Sequence, residues 1–135
     1  MNLAEAFANY LENDLSVAIL GQDLFIGEAP SSNKVPDSVW WIVDNGGSPI
    51  KKNSTGESLK SYQVQIYYRN RDYKAVKDAL YNLEQDLNCD GCTQLTGIDT
   101  IDIEATTFPI DNDIDQEDRK VGLLQVNLTT YKECT

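Results

Sequence analysis

The chain has no histidine, one methionine and three cysteines in 135 residues, and eleven bases against twenty-two acids. Without histidine, the Ser-His and Cys-His pairs that activate a nucleophile are excluded. The three cysteines include one C-x-x-C pair, Cys89-Asp-Gly-Cys92, with Cys134 far away. A closed zinc site needs four nitrogen or sulfur ligands, and only three candidates exist. A redox pair sits between a strand and the start of a helix. Cys89 instead follows a helical pattern and opens a loop, so free thiols are expected. No run approaches the roughly 20 apolar residues that span a bilayer. The first residues, Met1-Asn-Leu-Ala-Glu-Ala-Phe7, carry an acid where an export signal carries a base, so a cytoplasmic setting is expected.

The shortage of bases gives a net charge of −11, which argues against a general nucleic-acid binder. The charge is also uneven. Residues 1–33 hold five acids and no base, residues 88–118 hold nine acids and no base, and seven bases fall between Lys51 and Lys77. Such a surface keeps a protein soluble. It also offers opposite signs for a head-to-tail contact between neighbours.

What is present is strand and helix patterning. Leu3, Phe7, Tyr10 and Leu11 form the apolar face of a helix over Leu3–Asp14, with Asn2 and Glu5 spaced as a capping box. A short strand is expected at Leu24–Glu28, then a loop between Pro30 and Pro36. Val39-Trp-Trp-Ile-Val43 is apolar on both faces, as in a strand buried on two sides. Tryptophans at 40 and 41 suit a core on one side and an interface on the other. In Lys60–Arg69, Tyr62, Val64, Ile66 and Tyr68 share one face, and Gln63, Gln65, Tyr67 and Arg69 the other. Asp72 is the expected N-cap of a helix over Tyr73–Leu87, whose Tyr73, Val76, Leu80, Leu83 and Leu87 recur at helical spacing. Thr100–Phe108 alternates with Ile101, Ile103, Ala105 and Thr107 inward. The last strand, Val121–Tyr131, sets Leu124, Val126 and Leu128 on one face. The order α-β-β-β-α-β-β over a single domain, residues 1–135, predicts an α+β fold. It is a mostly antiparallel twisted sheet of four to five strands with two helices packed on one face.

Two polar segments interrupt this pattern. The stretch from Asn45 to Ser58 is long, Gly-containing and polar, and is expected to be a mobile loop; its glycines lack phosphate-loop spacing. The acidic loop at 111–118 has Asp111, Asp113 and Asp115 at the first three ligand spacings of an EF-hand. Gln116 replaces the glycine and Gly122 the bidentate glutamate, so a solvated turn is favoured over a calcium loop. No metal and no cofactor is expected. Carboxylate pairs for acid–base catalysis are numerous, but no spacing singles one out.

The order of elements resembles a known family. An amphipathic N-terminal helix leads to a strand with a Pro-rich exit and to the Val39–Val43 strand. A polar loop then precedes the Tyr62-x-Val-x-Ile-x-Tyr68 strand, which feeds the Tyr73–Leu87 helix. Two strands around an acidic turn close the chain, ending in Gly122-Leu-Leu-Gln-Val-Asn-Leu128. This resembles the tail terminator, or tail completion, proteins of long-tailed bacteriophages, often described as minor capsid proteins. The resemblance implies a structural virion protein, not an enzyme. It forms a homohexameric ring that caps the completed tail tube and ends its polymerisation. It also provides the docking surface for the head-completion (stopper) protein in head–tail joining. Its partners are then other copies of itself, the major tail tube protein and the stopper. Phage DNA passes through without specific binding, and no membrane is involved. The location is the neck end of the virion tail, and the host cytoplasm during assembly. On that reading Lys51, Lys52, Gln63, Gln65, Tyr67 and Arg69 are the candidate subunit or docking interface. Asp111, Asp113, Asp115, Glu117 and Asp118 are the candidate acids lining the lumen.

Two other classes of function are compatible with the sequence. One is a small cytoplasmic ligand-binding or regulatory α+β domain with Trp40 and Trp41 in its pocket. The other is a carboxylate enzyme using a divalent metal at Asp111, Asp113 and Asp115.

Overall fold

The computed structural model describes residues 3–27, 38–52, 57–88, 100–112 and 119–133. Within these, only the backbone is described for 47–52, 57–60, 100–102, 111–112 and 130–133. Helix α1 (Leu3–Asn9) runs into a π-helical turn at Tyr10–Asp14. Strands β1 (Leu24–Ile26), β2 (Val39–Lys52) and β3 (Glu57–Asn70) follow. Helix α2 (Tyr73–Asn88) precedes β4 (Thr100–Thr107), the two-residue β5 (Asp111–Asn112) and β6 (Lys120–Glu133). The expected α+β order is borne out.

The sheet order is β1-β2-β3-β6-β4, with β5 paired to β6. Strand β1 runs parallel to β2, and the other pairings between these strands are antiparallel, so the sheet is mixed. Side-chain alternation sets Trp40, Ile42, Val64, Ile66, Leu124 and Val126 toward the helices, and all six are buried. Phe7 and Leu11 from the N-terminal helix and Val76, Leu80, Leu83 and Leu87 from α2 close the same cluster. Both helices thus lie on one face of the sheet. Thr107, expected inward, is exposed because it ends its strand, and Tyr73, expected on the apolar stripe of α2, is exposed because it begins the helix.

Helix α2 starts as the sequence suggests. The Asp72 carboxylate accepts from the Lys74 amide at 3.0 Å, and the Asn70 side chain accepts from the Asp72 amide at 3.0 Å. Asn2, the other expected cap, lies outside the described residues, as does Glu28 of the expected β1.

The largest difference from expectation lies in the polar stretch 45–58. The chain does not leave the sheet after Asp44; β2 continues to Lys52 and β3 begins at Glu57, so only 53–56 separate them. Backbone pairing tolerates polar residues, and two register shifts absorb the irregular ones, between Asp44 and Gly47 and between Pro49 and Lys51. Gly46 supplies φ +83° at the first shift, and its amide donates to the Asp44 carboxylate at 2.7 Å. Among the described residues β1 covers β2 at Trp40, Trp41 and Ile42 alone, so Pro49 lies beyond the part of β2 that β1 pairs. A strand of 14 residues spans about 45 Å. The β2–β3–β6 ribbon therefore runs well past the last core pair.

The far edge is pinned at one residue. Asn88, the last residue of α2, donates to the Ala105 carbonyl at 2.9 Å and accepts from the Ala105 amide at 2.8 Å. This side-chain amide occupies the backbone N–H and C=O of Ala105 on edge strand β4, as a neighbouring strand would at that residue. Asn88→Ala is expected to cost about 1–2 kcal/mol for the two lost bonds and to make the protein more prone to associate through β4. Denaturant titration and light scattering of the variant would check both effects.

Candidate assembly surface

The sheet face turned away from the helices carries three of the sequence-predicted residues together. Gln63 and Asn127 stand opposite each other with Glu104 in the next strand, and Gln65 and Gln125 form the adjacent row with Thr106. Tyr67 pairs with Leu123 on one side and Trp41 on the other. Its ring lies parallel to the Trp41 indole, with centroids 5.0 Å apart and planes 4° apart. The Tyr67 hydroxyl donates to the Gln65 side-chain carbonyl at 3.1 Å, and the Asn45 amide donates to that of Gln63 at 3.1 Å. Gln63, Gln65 and Tyr67 are all half-buried. The result is a row of amides and one aromatic pair on the face away from the helices.

Arg69 belongs to the same face but is only 3% exposed, and so corrects the expectation of an outward, contact-making side chain. Its strand register puts it between Val39, fully buried, and Val121. A long apolar stem packs readily in such a place. Arg119, just before β6, is buried as well, so this end of the face is closed while the glutamine end is open. Lys51 and Lys52 lie at the far end of β2, opposite Leu59 and Ser58; their backbones are paired in the ribbon. Asp111 is in β5, opposite Val121. Asp113, Asp115, Glu117 and Asp118 lie outside the described residues, as do Cys89, Cys92 and Cys134. Among the described residues, no group of three or more acids or cysteines is placed to hold a metal ion.

The two tryptophans do not share a pocket, since neighbours in a strand point to opposite faces. Trp40 stacks on Tyr68 at 4.4 Å on the helix side. The Tyr68 hydroxyl is held by the Ser38 hydroxyl at 2.7 Å and accepts from the Asn70 amide at 3.0 Å. Trp40 also borders a groove of about 270 Å³ between the N-terminal helix and α2, lined further by Leu11, Leu15, Val17, Ala79 and Leu83. Trp41 faces the other way. The pocket required by the ligand-binding alternative is therefore not assembled from both rings.

Sequence reasoning missed one surface altogether. Val17, Ile19, Leu20 and Ile26 are 46%, 53%, 49% and 41% exposed beside the short edge strand β1. The segment is fixed by side-chain carboxylates: the Leu20 amide donates to that of Glu12 at 2.6 Å, and the Ile19 amide to that of Asp23 at 2.6 Å. The available signal was the apolar run Val17-Ala-Ile-Leu20, which continues past the end of the amphipathic helix.

No helix among the described residues is long and apolar enough to cross a membrane. No curated protein matches the chain. The sequence profile of a family described as bacteriophage tail terminator protein matches residues 11–132, from the π-helical turn to the end of β6. It takes in every strand and α2, which are the elements that carried the resemblance in the sequence. The chain belongs to the bacteriophage tail terminator protein family.

Proposed function

We propose that copies of this chain close into a ring, six to a turn, that sits on the finished tail tube and stops its growth. Family membership makes this a structural protein of the phage tail with a role in tail completion. That match, over residues 11–132, is the observation that carries the reading. The ring then offers its other side to the head-completion protein, at the neck of the virion, after assembly in the host cytoplasm. The role is a binding one, without chemistry of its own.

The geometry supports this in two ways. Both helices lie on one face of the sheet, which leaves the row of Gln63, Gln65 and Tyr67 available to a tube or stopper surface. The ribbon bearing Lys51 and Lys52 reaches beyond the helical layer, as an arm for docking does. Asp111, Asp113, Asp115, Glu117 and Asp118 are proposed to line the central passage. A chain of net charge −11 repels DNA phosphates, so DNA passes without adhering.

Negative-stain images of the purified protein, at high concentration and with tail tubes added, test this reading. Rings with a central hole are expected, free or on tube tips. Protein that stays monomeric at every concentration and never meets a tube tip would sink it.

A further inference from the structure

Seven large hydrophobic side chains are strongly exposed among the described residues, and they divide between the two lateral edges of the sheet. Val17, Ile19, Leu20 and Ile26 gather at β1, the first strand in the sheet order. Tyr73, Tyr81 and Phe108 belong to the other side. Asn88 reaches β4, the last strand, and Tyr81 stands seven residues earlier in α2, two turns back on the same line of the helix. Lys74 is seven residues earlier again, with Tyr73 and Lys77 beside that line. Phe108 directly follows β4 and bonds through its amide to the Leu123 carbonyl. On the opposite flank of α2, Ala79, Asn82 and Asp86 face the groove shared with Leu15 and Val17.

The two flanks are chemically complementary. The first is aliphatic and carries Glu12, Asp14 and Asp23, with no base anywhere in residues 1–33. The second is aromatic and carries exposed Lys74 and Lys77, with exposed Asp78 beside them and the half-buried Glu84 lower on the helix. Exposed apolar clusters rimmed by charge mark contact sites. Two different patches on opposite edges of one subunit define a head-to-tail contact, the kind that closes into rings. The contact goes through side chains, because Asn88 already occupies the Ala105 backbone that strand addition at β4 would need.

We infer that the occupant of each flank is a second copy of this chain: the Val17–Leu20 flank of one copy docks on the Tyr73–Tyr81 flank of the next. This rests on the ring reading above and leaves the glutamine face and the ribbon free for other partners.

Complementary knock-outs in the full chain test it by sedimentation velocity. One variant carries Ile19→Ser with Leu20→Ser, the other Tyr73→Ser with Tyr81→Ser; all four positions are exposed, and circular dichroism confirms the fold. Each variant alone should need at least about tenfold more protein to associate. Mixed, the two should form a one-to-one dimer and nothing larger, because each retains the flank that the other lacks. Two results overturn the inference while leaving the ring intact: both variants forming rings at the wild-type concentration, or both forming rings but losing tube binding. Wild-type protein that forms no ring, free or on tubes, overturns the ring reading and this contact with it.

Discussion

Phe7→Ala is expected to lower the unfolding free energy by about 3–5 kcal/mol, the usual cost of emptying a buried aromatic site. Phe7 is fully buried in the common core, on a helix of seven residues followed by a single π-helical turn. A helix that short has little stability of its own, so its anchoring depends on the face that it buries. The residual cavity would lie against the sheet, where β1 and β2 cannot collapse into it without losing register. A domain of this size is stable by roughly 5–15 kcal/mol, so the variant should lose at least about a fifth of that margin. Urea denaturation checks it: the midpoint falls with little change in slope. Phe7→Leu keeps most of the volume and should cost less than about 1.5 kcal/mol. A near-neutral alanine variant would mean that α1 does not belong to the core. The result bears on the domain boundary too, because α1 precedes the family-matched segment 11–132.

Gly122→Ala is expected to cost about 1–3 kcal/mol by overpacking. Gly122 sits on β6 under α2, and a methyl group there would lie 2.6 Å from Val76 Cγ1 and closer still to Leu80. The Leu80 side chain can rotate, but Val76 is β-branched and held in the first turns of the helix. The helix would have to rise from the sheet, which loosens Val76, Leu80 and Leu83 together. Room, not backbone freedom, is what this glycine provides. Pairing Gly122→Ala with Leu80→Ala should recover part of the loss, giving a double-mutant coupling on the order of 1 kcal/mol. Additive costs would show that the two residues do not meet.

The elements that the sequence made legible are those with a strong period. The alternation through Tyr62–Tyr68 and the helical spacing of Val76, Leu80, Leu83 and Leu87 reflect burial on one side, and burial is what the structure shows. Asp72 was legible as a cap because the chemistry is local. Pairing was not. Nothing in the composition of Asn45–Lys52 says that a polar, Gly- and Pro-containing stretch continues a strand, because the ladder that holds it comes from β3, and bulges absorb its misfits. The parallel pairing of β1, the buried Arg69 and the Asn88 clamp are likewise set by which strand lies beside which. The glutamine face could be read from alternation alone. The two hydrophobic flanks could not, because they join residues far apart in sequence at opposite edges of one sheet.

The central claim is that this chain ends a tail tube. Its most direct test is electron microscopy of tail tubes assembling from their tube protein, with this protein added in excess. The account predicts extra ring-shaped density at one end of each tube and a halt in elongation from that end. Tubes that keep growing at the uncapped rate, with bare ends, would contradict it.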